Sequence, residues 1–290
     1  MFLYRASMPN EVTAGELLRR WRIQRGLSQL ALSINAEVSS RHLCFVETGR
    51  ANPSREMIVR LAEELQIPLR HRNVLLTAAG YAHIYPERAL GDPALAVVGN
   101  IVHKILSGHE PNPAVAIDHQ WRALAMNRAI ELLLTGVDSS LLQPPVNLMR
   151  VGLHPLGLAT RIRNFSEWRA NAIAKLRQRI EITADQQLVE LLKEIEGYRY
   201  PQSLDQSKRT LRCDAAIPLE LETSCGDVSL ITTSMVFGYP RDVTVSEIAI
   251  ECFFPQDKES AEVLKRFAAK TPSVTTTETQ SAQREKIETT

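Results

Sequence analysis

The sequence predicts two parts of different class: an N-terminal all-α domain of five short helices, then an α+β domain with a helix-flanked antiparallel sheet. Three observations carry that expectation. From Thr13 to Gly80 apolar residues recur at helical spacing, punctuated by capping residues, glycines and prolines. Beyond residue 111, strand-like runs precede and follow two amphipathic helices, the order of an α+β fold. Charge is uneven as well: residues 1–90 hold 12 Arg, no Lys and 8 Glu, net +4, and residues 91–290 are net −3. A basic module joined to a mildly acidic remainder suggests nucleic-acid binding in the first part.

The first predicted helix, "TAGELLRRWRIQR", opens with Thr13 and Glu16 in capping-box register and ends at Gly26. Its apolar positions are Leu17, Leu18, Trp21 and Ile23. The second, "SQLALSINAE", starts at Ser28 with Leu30, Leu32 and Ile34 as its apolar set. Ser39 caps the third, in which Leu43 and Val46 face a core; Gly49 and Pro53 close it. Ser54 starts the fourth, with Ile58, Leu61, Ala62 and Leu65. Pro68 introduces the fifth, "LRHRNVLLTAAG". Pro86, Gly91 and Pro93 then mark a boundary, and "LAVVGNIVHKILSGHE" reads as a connecting helix. The predicted division is 1–85, a linker with connecting helix over 86–110, a second domain over 111–268, and a tail over 269–290.

In the second domain "PAVAIDHQW" and "RALAMN" read as strands, "RAIELLLTG" as a helix and "NLMRVGLHP" as a short apolar segment. "SEWRANAIAKLRQRIEI" and "ADQQLVELLKEIEGY" are amphipathic helices. "LRCDAAIPLELET", "DVSLITTSMVFGYP" and "SEIAIECFFP" are β-rich. The tail lacks apolar periodicity and is expected to be disordered.

Composition excludes several classes. Hydrophobic content of 44% and charged content of 23% suit an ordinary soluble protein. No apolar run approaches the ~20 residues a membrane span needs, so no membrane insertion is expected. The opening residues are too short and polar for a secretory signal, which makes the cytoplasm the expected compartment. Four scattered cysteines have no zinc-ligand spacing, and no metal or cofactor is expected. Cys213 and Cys225 could meet across a hairpin. G-x-S-x-G, P-loop, G-x-G-x-x-G and H-E-x-x-H patterns are all lacking, and no catalytic role is expected.

Two short helices joined by a turn near Asn35–Val38 fit a helix-turn-helix, whose second helix enters the major groove. Arg41 and Phe45, four residues apart, fall on the wet face of that helix. An arginine donates two hydrogen bonds to guanine, a phenylalanine meets a thymine methyl, and Ser40 suits either base contact. Ser39 lies in the same first turn. Gln29 is placed to hydrogen-bond a phosphate through its amide, and Arg50 and Asn52 to reach the neighbouring strand. Arg22, Arg25 and Arg55 are further candidates. Other roles stay open: a simple cap for Ser39, packing for His42, contact with the adjoining domain or a second subunit for Phe45, and plain solvation for Arg22 and Arg25.

The pattern R-x-x-x-G-L-S-Q, then V-S-x-x-x-L, E-x-G and P-S, resembles the Xre-type helix-turn-helix family, which includes the phage repressors. "SRHLCFVETGRANPSREM", "LRHRNVLLTAAGYA", "HEPNPAVAIDHQW", "NLMRVGLHPLGLATRIRNFSEWRA" and "TTSMVFGYPRDVTVSEIAIECFFP" together resemble the MmyB-like transcription regulators, over nearly all of residues 13–267. That resemblance implies a DNA-binding domain followed by a PAS-like domain associated with fatty-acid-like ligands. By position it makes Gln29 a phosphate-clamping glutamine and sets Ser40, Arg41 and Phe45 at base-reading positions. Glu37 departs from the pattern where glycine is common, and Asn112 where an aromatic is.

The large apolar residues offered to a ligand by the second domain are Trp121, Phe165, Trp168, Phe237 and Phe254, although for any one of them ordinary core is the commoner role. Arg150, His154 and Arg169 are the nearest groups able to satisfy a carboxylate, although a histidine before proline is commonly structural. The implied partners are a double-stranded DNA operator, a small apolar or amphiphilic ligand such as a fatty acid, and a second copy in a homodimer. The competing expectation is a DNA-binding adaptor whose second domain is a ligand-free dimerisation or protein-partner module.

Overall fold

The computed structural model describes residues 12–183, 185–201 and 216–269. In chain order its first elements are α1 (Ala14–Gln24), α2 (Gln29–Asn35), α3 (Ser40–Glu47), α4 (Arg55–Glu64), α5 (Leu69–Ala78) and α6 (Ala96–Gly108). Strands β1 (Ala114–Ile117) and β2 (Ala123–Met126) follow, then α7 (Arg128–Leu133), α8 (Leu148–Leu153), α9 (Phe165–Thr183) and α10 (Gln186–Glu196). The last are β3 (Leu219–Thr223), β4 (Gly226–Val236), α11 (Val243–Glu247), β5 (Ala249–Pro255) and α12 (Lys258–Ala269).

The chain forms two compact units that interleave in sequence: Met1–Ile101 with Arg179–Asp185 and Val236–Ala249, and the remainder. The first unit holds the five predicted helices. Thr13, Ser28, Ser39 and Ser54 each accept an N–H from the first turn they precede, which satisfies a donor the helix leaves orphaned. All five helices end alike, with a six-to-one and a five-to-two hydrogen bond around a left-handed residue. That residue is Gly26, Gly49 and Gly80 after α1, α3 and α5, but Glu37 (φ 52°) after α2 and Gln66 (φ 49°) after α4. The core is apolar and tight: Leu18, Leu32, Leu43, Ile58, Leu61, Leu65, Leu75 and Leu76 are fully buried. Gly15 lets α1 approach α3 so closely that a Cβ there would lie 2.0 Å from the Val46 carbonyl oxygen.

Two positions expected in this core lie outside it. Leu30 and Ile34 are 61% and 66% exposed. They are four apart on one helical face, and Leu32 takes the opposite, buried one, so the alternating apolar set misjudges the period. Ile23 is exposed as well. The same unit includes the later segments. Arg70 on α5 forms ion pairs with Glu87 at 2.7 Å and Glu247 at 2.8 Å. Arg88 pairs with Asp242 at 2.8 Å, and the Val243 N–H donates to the Pro86 carbonyl.

In the second unit the five strands form one antiparallel sheet in the order β2-β1-β5-β4-β3, the sheet the sequence predicts. Buried Asn127 organises one end: its Oδ1 accepts from the Ala114 and Ile130 N–H groups, and its Nδ2 donates to the Leu106 and Asn112 carbonyls. Asn164 does the same at the other end, donating to the Pro218 carbonyl and accepting from the Glu220 N–H. Helix α12 is not among the expected elements. Cys44, Cys225 and Cys252 are free thiols; Cys213 and the predicted tail beyond residue 269 lie outside the described residues. Among the described residues no helix is long and apolar enough to cross a membrane.

Candidate nucleic-acid interface and ligand cavity

Helices α2 and α3 are joined by the four residues Ala36–Ser39, and α3 packs inward through Leu43, Val46 and Glu47. Ser40, Arg41 and His42 are exposed and Phe45 is half-buried. The Arg41 guanidinium carbon lies 5.5 Å from the Phe45 ring centroid, so the ring's negative face steadies the cation on the open side of the helix. Ser39 is the cap, accepting from the His42 N–H at 3.4 Å. Arg50 and Arg55, in the loop after α3 and at the start of α4, are exposed. Asn52 is exposed with its amide donating to the Ala79 carbonyl.

Arg22 is drawn inward, which corrects its placement among the phosphate contacts, whereas Arg25 stays half-buried. Arg22 Nε and Nη2 each donate at 2.7 Å to the two oxygens of Glu47, and Nη1 donates to the Leu27 carbonyl. The side chains of this pair are only 10% and 1% exposed. Gln29 Nε2 donates to Glu47 Oε2 at 2.8 Å. A charge buried without partners is costly, and here the three side chains satisfy one another while binding α1, α2 and α3 together. Burial pushes the Glu47 carboxyl up, but hydrogen bonds from Arg22 and Gln29 outweigh it and leave it below the usual value. The Gln29 amide keeps a second N–H, oriented by the first. Arg25 lies over the Trp21 ring at 5.4 Å and donates to the Leu65 carbonyl.

In the second unit a partly enclosed cavity of about 120 Å³ lies between the sheet and α7, α8 and α9. Its walls are Val115, Leu219 and Leu221 from strands, Ile130 and Leu133 from α7, Met149, Val151 and Gly152 from α8, and Ala172 from α9. Trp121 and Trp168, both expected there, line it. Trp121 has φ 59°, a conformation disfavoured for a bulky side chain. Asp118 imposes it by accepting from the Gln120 and Arg122 N–H groups at 2.8 and 2.9 Å. Gly152 makes room for Trp168: a Cβ there would meet the indole at 2.7 Å.

The other predicted ligand contacts lie elsewhere. Phe165 is core, packed on Tyr200 with centroids 4.8 Å apart. Arg150 is held in a two-pronged pair with Glu194 at 2.7 Å. His154 accepts from the Leu156 N–H and meets Tyr198 edge-on. Arg169 stacks over Tyr200. Phe237 falls in the segment that belongs to the first unit, and Phe254 is exposed against His109. Its neighbour Phe253 lines the cavity instead, because adjacent strand residues face opposite ways. Asn171, Lys175, Thr232 and Glu251 are polar wall residues that sequence reasoning missed. The signal available was α9's spacing, Trp168, Asn171, Ala172 and Lys175 at i, i+3, i+4 and i+7.

Two family models match the chain: a helix-turn-helix domain over residues 13–75, and the MmyB-like transcription regulator ligand binding domain over residues 98–267. With the geometry above, they define a DNA-binding transcription regulator that carries a ligand-binding domain for a small molecule. The second match spans more than half of the chain, which belongs to the MmyB-like transcription regulators. No curated protein matches it closely enough to count as a relative.

Proposed function

We propose that α3 reads an operator in the major groove of duplex DNA, and that an acyl-chain amphiphile in the cavity adjusts that affinity. The observation that carries the DNA half is exposed Arg41 paired with half-buried Phe45 on the outer side of a helix fixed from behind by the Arg22–Glu47–Gln29 network. Ser40, Arg41 and Phe45 take the base contacts; Gln29, Arg50 and Asn52 take phosphates. Two copies bind half-sites about one helical turn apart, and the place of work is the cytoplasm, where the operator is. No catalytic step is assigned to the chain.

The apolar walls and the size of the cavity, close to the ~150 Å³ that admits benzene in an engineered apolar core, support an alkyl or acyl ligand. Such a ligand changes DNA affinity only through different affinities for two arrangements of the protein. The test is selection of bound fragments from random duplex DNA, run with and without added fatty acids. A shared sequence motif whose recovery changes with fatty acid is the expected result. No affinity for any duplex at low salt rejects the DNA half. A reproducibly empty second domain, by mass spectrometry of extracts from the denatured protein, favours the adaptor.

A further inference from the structure

The cavity is polar at one end only. Its β1, α7 and β3 walls are apolar and buried, whereas Asn171, Thr232 and Glu251 are half-buried and Lys175 is exposed. The cavity therefore opens beside Lys175. The polar residues come from two walls that run the same way. The chain enters α9 along β3: Ile162 bridges Leu221, the Arg163 N–H donates to the Glu220 carbonyl, and Asn164 binds Pro218. By the register of β3 on β4, Leu221 opposite Val228 and Leu219 opposite Leu230, that direction leads along β4 towards Thr232. Asn171 and Lys175 lie about 10–16 Å along α9 from Asn164. Thr232 lies about 7 Å along β4 from Leu230, and Glu251 precedes Cys252, whose carbonyl accepts from the Thr233 hydroxyl, so the polar residues of both walls fall towards the same end of the cavity they line.

We propose that Lys175, with Asn171 one turn before it, is the site for an acidic head group, and that the chain of the ligand points inward beneath Trp168. This rests on the cavity being a ligand site, as proposed above. Lys175 makes no ion pair or hydrogen bond among the described residues, unlike Arg150, Arg161, Arg163 and Arg177, each of which is engaged. A flexible ammonium at an apolar mouth can lay its stem on the wall and keep its charge at the rim. Asn171 supplies amide donors to the same head. Lys175 brings one positive charge to a mouth that Glu251 also lines, so a single negative charge, a carboxylate, matches it better than a dianionic phosphate ester.

The test is calorimetric titration of the full-length protein at neutral pH with octanoate, 1-octanol and octyl phosphate. Wild type is expected to bind octanoate about tenfold more tightly than the alcohol, the scale of a charge-assisted contact, and more tightly than the phosphate. Lys175→Met keeps the aliphatic stem and should bring octanoate down to the level of the alcohol, leave the alcohol unchanged and leave the melting temperature unchanged. Lys175→Arg should restore the preference. Octanoate binding to Lys175→Met as tightly as to wild type overturns the head assignment and leaves the cavity as a ligand site. Binding of neither octanoate nor octanol to wild type overturns the cavity as a ligand site and the head assignment with it. Tighter binding of octyl phosphate overturns the choice of a carboxylate.

Discussion

Removing the Arg22 guanidinium leaves the Glu47 carboxylate inside the helical core without its counterion, with only the Gln29 amide still donating to it. Arg22→Ala is expected to cost about 3–5 kcal/mol of unfolding free energy, the range for breaking a buried pair by deleting one partner, measured by urea denaturation. The same pair confers acid sensitivity. The folded-state value of Glu47 lies below its unfolded one, so its contribution is complete above the ordinary glutamate range, near pH 4.3. It is lost as pH falls through the folded value. Melting temperature followed from pH 7 to pH 3 should fall more steeply for wild type than for Glu47→Gln. At the DNA surface, Arg41→Ala should cost about 1–3 kcal/mol at one operator position and relax preference there. Equal weakening on specific and random duplexes would make Arg41 a phosphate contact. The pairing of Arg41 and Phe45 on the outer side of α3 is legible because an apolar ring and a cation share a face that the core does not need. Arg22 is not, because its partner is 25 positions away and nothing local marks a guanidinium as inward. The usable hint is Glu47, beside Val46 and four after Leu43, which puts a carboxylate on the core face.

Helices and strands are easier to foresee than their faces. Four side-chain caps and three glycine ends are local chemistry, and they delimit α1 to α5 in sequence as in structure. The face of α2 is misjudged because Leu30, Leu32 and Ile34 alternate like a strand. Phe254 stands in for Phe253 because two adjacent phenylalanines give no parity. Helix α12 goes unread because its apolar residues Val263, Leu264 and Phe267 make a narrow stripe among charges. Contact between elements yields a contrasting pair of expectations. Gly15→Ala meets the backbone of α3 and should destabilise by about 1–3 kcal/mol. Gly99→Ala, in α6 with open space around it, should stabilise by up to about 1 kcal/mol. Thermal unfolding of both variants checks the difference in sign.

At the scale of the molecule, the composition shift and the prolines after α5 announce two parts, but not that they interleave. Arg70 carries no sign that its carboxylates stand 17 and 177 positions further on, and no periodicity reports such a return of the chain. Arg70→Ala should lower stability by about 1–3 kcal/mol, the scale of hydrogen bonds to charged groups. A double-mutant cycle with Glu247→Ala isolates the pair, and raised salt should weaken only its exposed share.

The interleaving also governs how this regulator can be dissected. A gene fragment that stops near residue 101 encodes every helix of the reading head, yet it omits Glu247 and Asp242, the counterions of Arg70 and Arg88, and the Thr183 carbonyl that His71 holds at 2.7 Å. Such an excised head should melt at a lower temperature than the intact chain, and grafting it onto another sensor would require carrying two distant peptides along with it.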